Sequence, residues 1–115
     1  AKLTIESLIN TVPPSVPGIV FLSGGMSEIQ ATNTLNQINL VDSRAPWYLS
    51  FSYGRALQAS VLTEWMGKDE NILHAQTQLL KRAKANGLAA IGKYEGEESS
   101  IGVNNLSLHV DNYSY

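Results

Sequence analysis

Apolar residues at Ile5, Leu8, Ile9 and Val12 recur at the three- and four-residue spacing that lines one face of a helix. Pro13-Pro14, which lack amide donors, close it. Beyond Ser15-Val16-Pro17-Gly18 the period changes. Ile19-Val20-Phe21-Leu22 is a continuous β-prone run, the pattern of a parallel-sheet strand buried on both faces. Ser23-Gly24-Gly25 interrupts it, and Ser27 with Gln30 then stand at the spacing of a capping box. The helix they open presents Ala31, Leu35 and Ile38 as its buried stripe, with Asn33, Asn36, Gln37 and Asn39 elsewhere around it.

The alternation repeats once. A loop at Asp42-Ser43-Arg44-Ala45-Pro46 leads into the aromatic, β-prone run Trp47-Tyr48-Leu49-Ser50-Phe51-Ser52, which ends at Tyr53-Gly54-Arg55. The next helix is expected to bury Leu57, Val61, Leu62 and Trp65 and to stop at Gly67. A further helix from about Asn71 carries Ile72, Ala75, Leu79 and Ala83 on one face. Lys81, Arg82 and Lys84 lie towards its far end, where cations suit the helix dipole, and Gly87 is expected to weaken or bend it. From Glu95 the periodicity is lost and charge rises, so 1–94 reads as the folded segment and 95–115 as a mobile arm.

Two parallel strands make no stable sheet by themselves, because unpaired backbone edges and an uncovered face remain. A complete (β/α)8 barrel needs about 250 residues. The expected fold class is therefore α/β, the C-terminal portion of a (β/α)8 TIM barrel: its last two βα units, C-terminal helices and a flexible tail.

Composition narrows the chemistry. The chain has 115 residues, 43% hydrophobic and 16% charged, which suits a packed core. Eight Lys+Arg against ten Asp+Glu give a formal net charge of -2, so no basic field exists for nucleic acid or an anionic membrane surface. The absence of cysteine removes disulfides, thiolate metal sites and thiol nucleophiles, and fits a cytoplasmic setting. Apolar runs fall well short of the ~20 residues that cross a bilayer. His74 and His109 have no partner at metal-ligand spacing, so a zinc site is not expected, and no other metal or cofactor is assigned. Ser23 is not a nucleophile elbow, since Phe21 stands where that motif needs glycine, and a Ser23, His74 and Asp42 triad has no spacing support. Trp47 and Trp65 read as core fillers.

The two strand ends carry the one distinctive pattern. Leu22-Ser23-Gly24-Gly25 lies between strand and helix, where glycines let backbone amides approach an anion closely. A lone glycine pair is more often no more than a tight βα turn. Ser52-Tyr53-Gly54-Arg55 repeats the arrangement at the next strand end and adds a guanidinium that can bond two phosphate oxygens. Arg55 could instead make a salt bridge at a helix start, but a cation there opposes the helix dipole unless an anion is near. Barrels often hold phosphate in the loops after their last two strands.

Phe21-Leu22-Ser23-Gly24-Gly25 and Leu49-Ser50-Phe51-Ser52-Tyr53-Gly54-Arg55-Ala56-Leu57-Gln58 closely resemble class I fructose-1,6-bisphosphate aldolase. Thr11-Val12-Pro13-Pro14, Gly67-Lys68-Asp69-Glu70-Asn71, Arg82-Ala83-Lys84-Ala85-Asn86 and Gly92-Lys93-Tyr94 are similar to that family too, so the likeness covers almost the whole chain. Leu108-His109-Val110 and the Tyr-x-Tyr ending resemble the plant cytosolic form. The resemblance implies a metal-free Schiff-base lyase of glycolysis and gluconeogenesis. Such an enzyme reversibly cleaves fructose 1,6-bisphosphate to dihydroxyacetone phosphate and glyceraldehyde 3-phosphate, and is a homotetramer when complete.

By the same resemblance Ser23, Gly24, Gly54 and Arg55 hold the phosphate of the dihydroxyacetone phosphate half. Tyr115 folds over the barrel mouth and assists proton exchange at the carbanion or enamine carbon. An extended ~20-residue arm reaches on the order of 65 Å, far enough for that journey. The family's Schiff-base lysine, its acid/base carboxylates and a second catalytic lysine lie before Ala1. Lys2, Lys68, Lys81, Lys84 and Lys93 read as solvated, so no nucleophile is assigned here and the isolated chain is expected to be inactive. Two rival readings stand beside this one: a non-catalytic fragment that binds phosphate or contacts actin filaments, and an unrelated phosphate-binding barrel.

Overall fold

The double proline does end the first helix. α1 spans Lys2–Thr11 and Val12 is already extended. The computed structural model describes residues 1–41, 45–96 and 107–112. After α1 come β1 (Gly18–Phe21), α2 (Glu28–Leu40), β2 (Tyr48–Phe51), α3 (Arg55–Trp65), a 3-10 turn (Asp69–Asn71) and α4 (Ile72–Ala89). β1 and β2 pair in parallel, with Gly18 opposite Tyr48 and Phe21 opposite Phe51. The connection through α2 forms one βα crossover, and α3 begins a second.

α2 is the central helix. Its Ile38 packs with Ile5 of α1 and with Trp47 and Leu49 of the second strand region. Leu35 packs with Ala85 and Ala89 of α4 and with Tyr94. Ala31 meets Tyr53 and Ala56 at the start of α3. The three clusters lie along one helix because Ala31, Leu35 and Ile38 share the predicted stripe. Trp47 is a core filler as expected, and its indole N–H donates to Pro13 O at 2.8 Å.

The helical faces of the second half differ from expectation. α3 buries Ala56 and Ser60, whereas Leu62 is 56% exposed and Trp65 41% exposed. Of the face expected on α4, only Ala75 is buried; the helix buries Arg82, Ala85, Asn86 and Ala89 as well. Small side chains let helix axes approach closely, so the contact seam among α2, α3 and α4 runs through alanine and serine and leaves the larger apolar groups outside. Gly87 neither stops nor divides α4, which continues to Ala89. α3 does end as expected, with Met66 in the left-handed region and Gly67 at φ 71° beside it.

β1 is not buried on both faces. Val20 is 61% exposed, and on β2 Tyr48 is 85% exposed. Within the described residues the sheet has two strands, and its helices cover one face. No helix of the described residues is long and apolar enough to cross a membrane.

Candidate functional site

Parallel pairing in register brings the two glycine-bearing turns to the same sheet end. Phe21 and Phe51 are partners, and Ser52 N donates to Phe21 O at 2.9 Å, so both turns leave from strand ends about 4.8 Å apart. Ser23, Gly24, Gly54 and Arg55 are thereby placed side by side at the C-terminal edge of β1 and β2.

The first turn is closed by Met26 N donating to Ser23 O at 3.1 Å. Gly24 and Gly25 adopt φ values of 59° and 88°, in a region that side-chain-bearing residues rarely occupy. Ser27 and Gln30 then form the predicted capping box, each side chain bonding the other's backbone N–H at 3.2 Å. The capping box uses the amides of Ser27 and Gln30, and Met26 N is bonded to Ser23 O, so the donors this turn can offer an anion are those of Ser23 and its glycines.

The second turn is built differently. Gly54 is the N-cap of α3 and has no side chain to bond the first-turn amides. Leu57 N donates to Gly54 O at 3.0 Å, and the remaining first-turn amides with the Arg55 guanidinium lie at an edge whose helix dipole favours an anion. Tyr53 fixes the turn from below: it is buried, and its hydroxyl donates to Ala31 O at 2.9 Å. Its ring also packs on Phe51, with centroids 5.4 Å apart and planes tilted by 40°. Desolvation by burial pushes the Tyr53 hydroxyl up to about 12, so it stays a neutral donor at physiological pH.

A short tail segment lies over both turns. Leu108 N donates to Gly25 O at 2.9 Å, and the Arg55 guanidinium donates to Leu108 O. The Leu108 side chain packs against the Ala31, Tyr53 and Ala56 cluster. His109 crosses so closely that a Cβ on Gly25 would stand 2.9 Å from His109 Cα. On the exposed side, His109 Nε2 lies 3.0 Å from Asp111 Oδ1. Leu108 lies in the stretch expected as an arm, and with Leu106 and Val110 apolar on either side of it, nothing in the sequence singles it out as the docking residue.

Tyr115 lies outside the described residues, as do 97–106. His74 is exposed on α4, and among the described residues no group of His, Asp and Glu could hold a metal ion. Lys68 pairs with Glu70 at 3.9 Å on the surface.

Behind the turns is a buried polar cluster that the sequence reading did not foresee. Glu28, the first residue of α2, and Arg82 of α4 have side chains that are 0% exposed, with Nε and Oε2 3.9 Å apart. Glu28 Oε1 accepts from Ser60 N at 3.1 Å and from Ser60 Oγ at 3.0 Å. Arg82 donates from one terminal nitrogen to Glu28 O at 2.9 Å and Thr32 Oγ1 at 2.7 Å. The sequence places Arg82 with Lys81 and Lys84 towards the far end of α4, where cations suit the helix dipole, and gives no sign of its burial. Neighbours on an α-helix point about 100° apart, so one basic residue of such a run can face inward when an acid awaits it there.

Two parallel βα units with glycine-bearing turns at their C-terminal strand ends fit a portion of an α/β barrel. The model of the family "Fructose-bisphosphate aldolase class-I" matches residues 1–115, and the chain belongs to that family. It is 56% identical to a fructose-bisphosphate aldolase of Schistosoma mansoni over 115 residues, which are 100% of this chain and 31% of that one. It is 50% identical to the cytoplasmic isozyme of Spinacia oleracea over 100% of this chain and 32% of the relative. A co-crystal structure of fructose-bisphosphate aldolase from Plasmodium falciparum, in complex with TRAP and a small-molecule inhibitor, superposes with a TM-score of 0.80 at 57% identity. That match covers 84% of this chain and 27% of the other. The chain thus spans about a third of the Schistosoma and Spinacia relatives, and the fold is a portion of the aldolase TIM barrel. Family membership sets aside the reading as an unrelated phosphate-binding barrel.

Proposed function

We propose that this chain supplies the phosphate grip and the terminal tyrosine of a class I fructose-bisphosphate aldolase. The activity is the reversible cleavage of fructose 1,6-bisphosphate to dihydroxyacetone phosphate and glyceraldehyde 3-phosphate, through a Schiff base on a lysine outside these residues. The reading is supported above all by one observation: Gly24 and Arg55 stand at adjacent strand ends, beside the uncapped start of α3.

In this reading Ser23, Gly24 and Gly54 present hydrogen-bond donors to the phosphate of the dihydroxyacetone phosphate half, and Arg55 clamps it with two parallel bonds. Holding that phosphate orients the carbon chain towards the reacting lysine. When the carbon–carbon bond breaks, the enamine carbon must gain a proton. Tyr115 assists that exchange. An unperturbed tyrosine has a pKa near ~10, so positioning at the carbon matters more than acidity. Tyr115 follows Leu108 by seven residues, an extended reach of up to ~25 Å.

The same proposal includes a homotetramer, contacts with actin filaments and a cytoplasmic location. The location is supported by the Spinacia oleracea and Cicer arietinum relatives, which are named cytoplasmic isozymes. The competing reading, a non-catalytic phosphate-binding or actin-contacting fragment, shares the binding step and differs in turnover.

Two measurements test the proposal. Titration of the chain with dihydroxyacetone phosphate should shift the amide resonances of Gly24, Gly54 and Arg55 together. Borohydride trapping with the same ligand should label no lysine among Lys2, Lys68, Lys81, Lys84 and Lys93; efficient labelling of any of them would overturn the assignment.

A further inference from the structure

The Glu28–Arg82 pair is expensive and has no part in the chemistry proposed so far. Taking a carboxylate and a guanidinium out of water costs more than an apolar pair of the same volume, so stability alone is a poor reason for it. What a hydrogen-bonded polar cluster adds is direction, because its donors and acceptors meet in few arrangements. Here Glu28 Oε1 is bonded, while Glu28 Oε2 and Asn86 Nδ2 have no hydrogen-bond partner among the described residues.

The location of the cluster gives that direction a use. Glu28 is the first helical residue beyond the Ser23–Gly25 turn, and its carboxylate reaches across to both Ser60 N and Ser60 Oγ on α3. Ser60 lies about one and a half helical turns after Arg55. Ser60 Oγ also accepts from Gln78 Nε2 of α4 at 2.8 Å, while Arg82, one turn further along α4, bonds the main chain of α2 at Glu28 O. Thr32 Oγ1, which receives the second Arg82 bond, lies 2.6 Å from Asn86 Oδ1 on α4. Each of the two helices that carry a turn is thus bonded to the other and to α4, through groups from residues 28 to 86.

We infer that Glu28 and Arg82 form a positioning pair for the phosphate site, fixing the spacing and angle between the Gly24 turn and Arg55. The inference rests on the phosphate reading given above. Displacing a binding group by about 1 Å is enough to lose much of its contribution, so a loosened pair weakens phosphate binding even when the fold survives.

The test is calorimetric titration of the chain with dihydroxyacetone phosphate, paired with thermal unfolding of each variant. Wild type should bind and Arg55→Ala should bind roughly 10- to 100-fold more weakly; no binding by wild type would defeat the phosphate reading itself. Given that binding, Glu28→Gln should weaken it about tenfold. The double variant Glu28→Leu/Arg82→Met removes both charges while keeping bulk, so its unfolding temperature should lie near wild type while its affinity stays about tenfold down. Ser60→Ala, which keeps the Ser60 N–H bond and removes the hydroxyl, should give a smaller loss with little change in unfolding temperature. The inference is overturned if the double variant binds as wild type does, or if affinity across the series merely follows the folded fraction.

Discussion

The guanidinium of Arg55 donates to the carbonyl of Leu108, 53 residues further along the chain. The N–H of the same leucine donates to Gly25 O, so one tail residue is tied to both turns at the sheet end. In the proposed phosphate site a ligand would compete with the Leu108 carbonyl for Arg55, and tail and ligand are therefore expected to influence each other.

The tie makes a contrast between adjacent glycines. A methyl at Gly25 would meet His109 Cα at 2.9 Å, whereas one at Gly24 would meet nothing within 4 Å. Both have positive φ, so either substitution by alanine should cost roughly 1–2 kcal/mol of backbone strain. Only Gly25→Ala should also release the tail, read as faster amide exchange at Leu108. Equal exchange in the two variants would contradict the contact.

Arg55 should dominate ligand affinity. Hydrogen bonds to charged groups contribute about 1.5–3 kcal/mol, so Arg55→Ala should lower dihydroxyacetone phosphate affinity roughly 10- to 100-fold. Arg55→Lys keeps the charge but loses the planar fork, and should recover part of that loss. Titration calorimetry on the two variants measures both effects.

Tyr53 sets a pH limit. Its pKa rises to about 12 in the fold, through burial, against about 10 for an unperturbed phenol. The folded state therefore favours the neutral form. The associated stability is fully present below about pH 10 and is lost as pH rises towards about 12. Urea midpoints measured from neutral pH to pH 12 should fall in that window, and the fall should be shallower in Tyr53→Phe.

Asn36 and Tyr94 form a reciprocal bond: Asn36 Nδ2 donates to Tyr94 O at 3.0 Å and Tyr94 N donates to Asn36 Oδ1 at 3.0 Å. Asn36→Ala strands two buried backbone groups, at about 1–3 kcal/mol each. Urea unfolding of this variant should show that loss, and Asn36→Asp should be destabilised too, because it sets an acceptor against Tyr94 O.

Where a residue acts within its own element, the sequence was legible. The Pro13-Pro14 stop, the Ser27–Gln30 capping box and the Ala31, Leu35, Ile38 stripe all depend on neighbours within a few positions, and each stands as read. The faces of α3 and α4 were misread because large apolar residues were taken as the buried ones. What decides burial there is how closely three helices approach, and Ala56, Ser60, Ala75 and Ala85 permit it. Glu28 and Arg82, 54 positions apart, carry no local sign of one another.

The order of elements, both glycine-bearing turns and the likeness to class I fructose-bisphosphate aldolase were determined by the sequence alone, since local backbone preference and motif identity need no knowledge of distant partners. That the turns share one sheet edge, that Leu108 lies across them and that an ion pair is sealed behind them was decided only in three dimensions. Strand register and helix contact depend on the collective fit of many side chains, and a one-dimensional pattern does not encode that fit position by position.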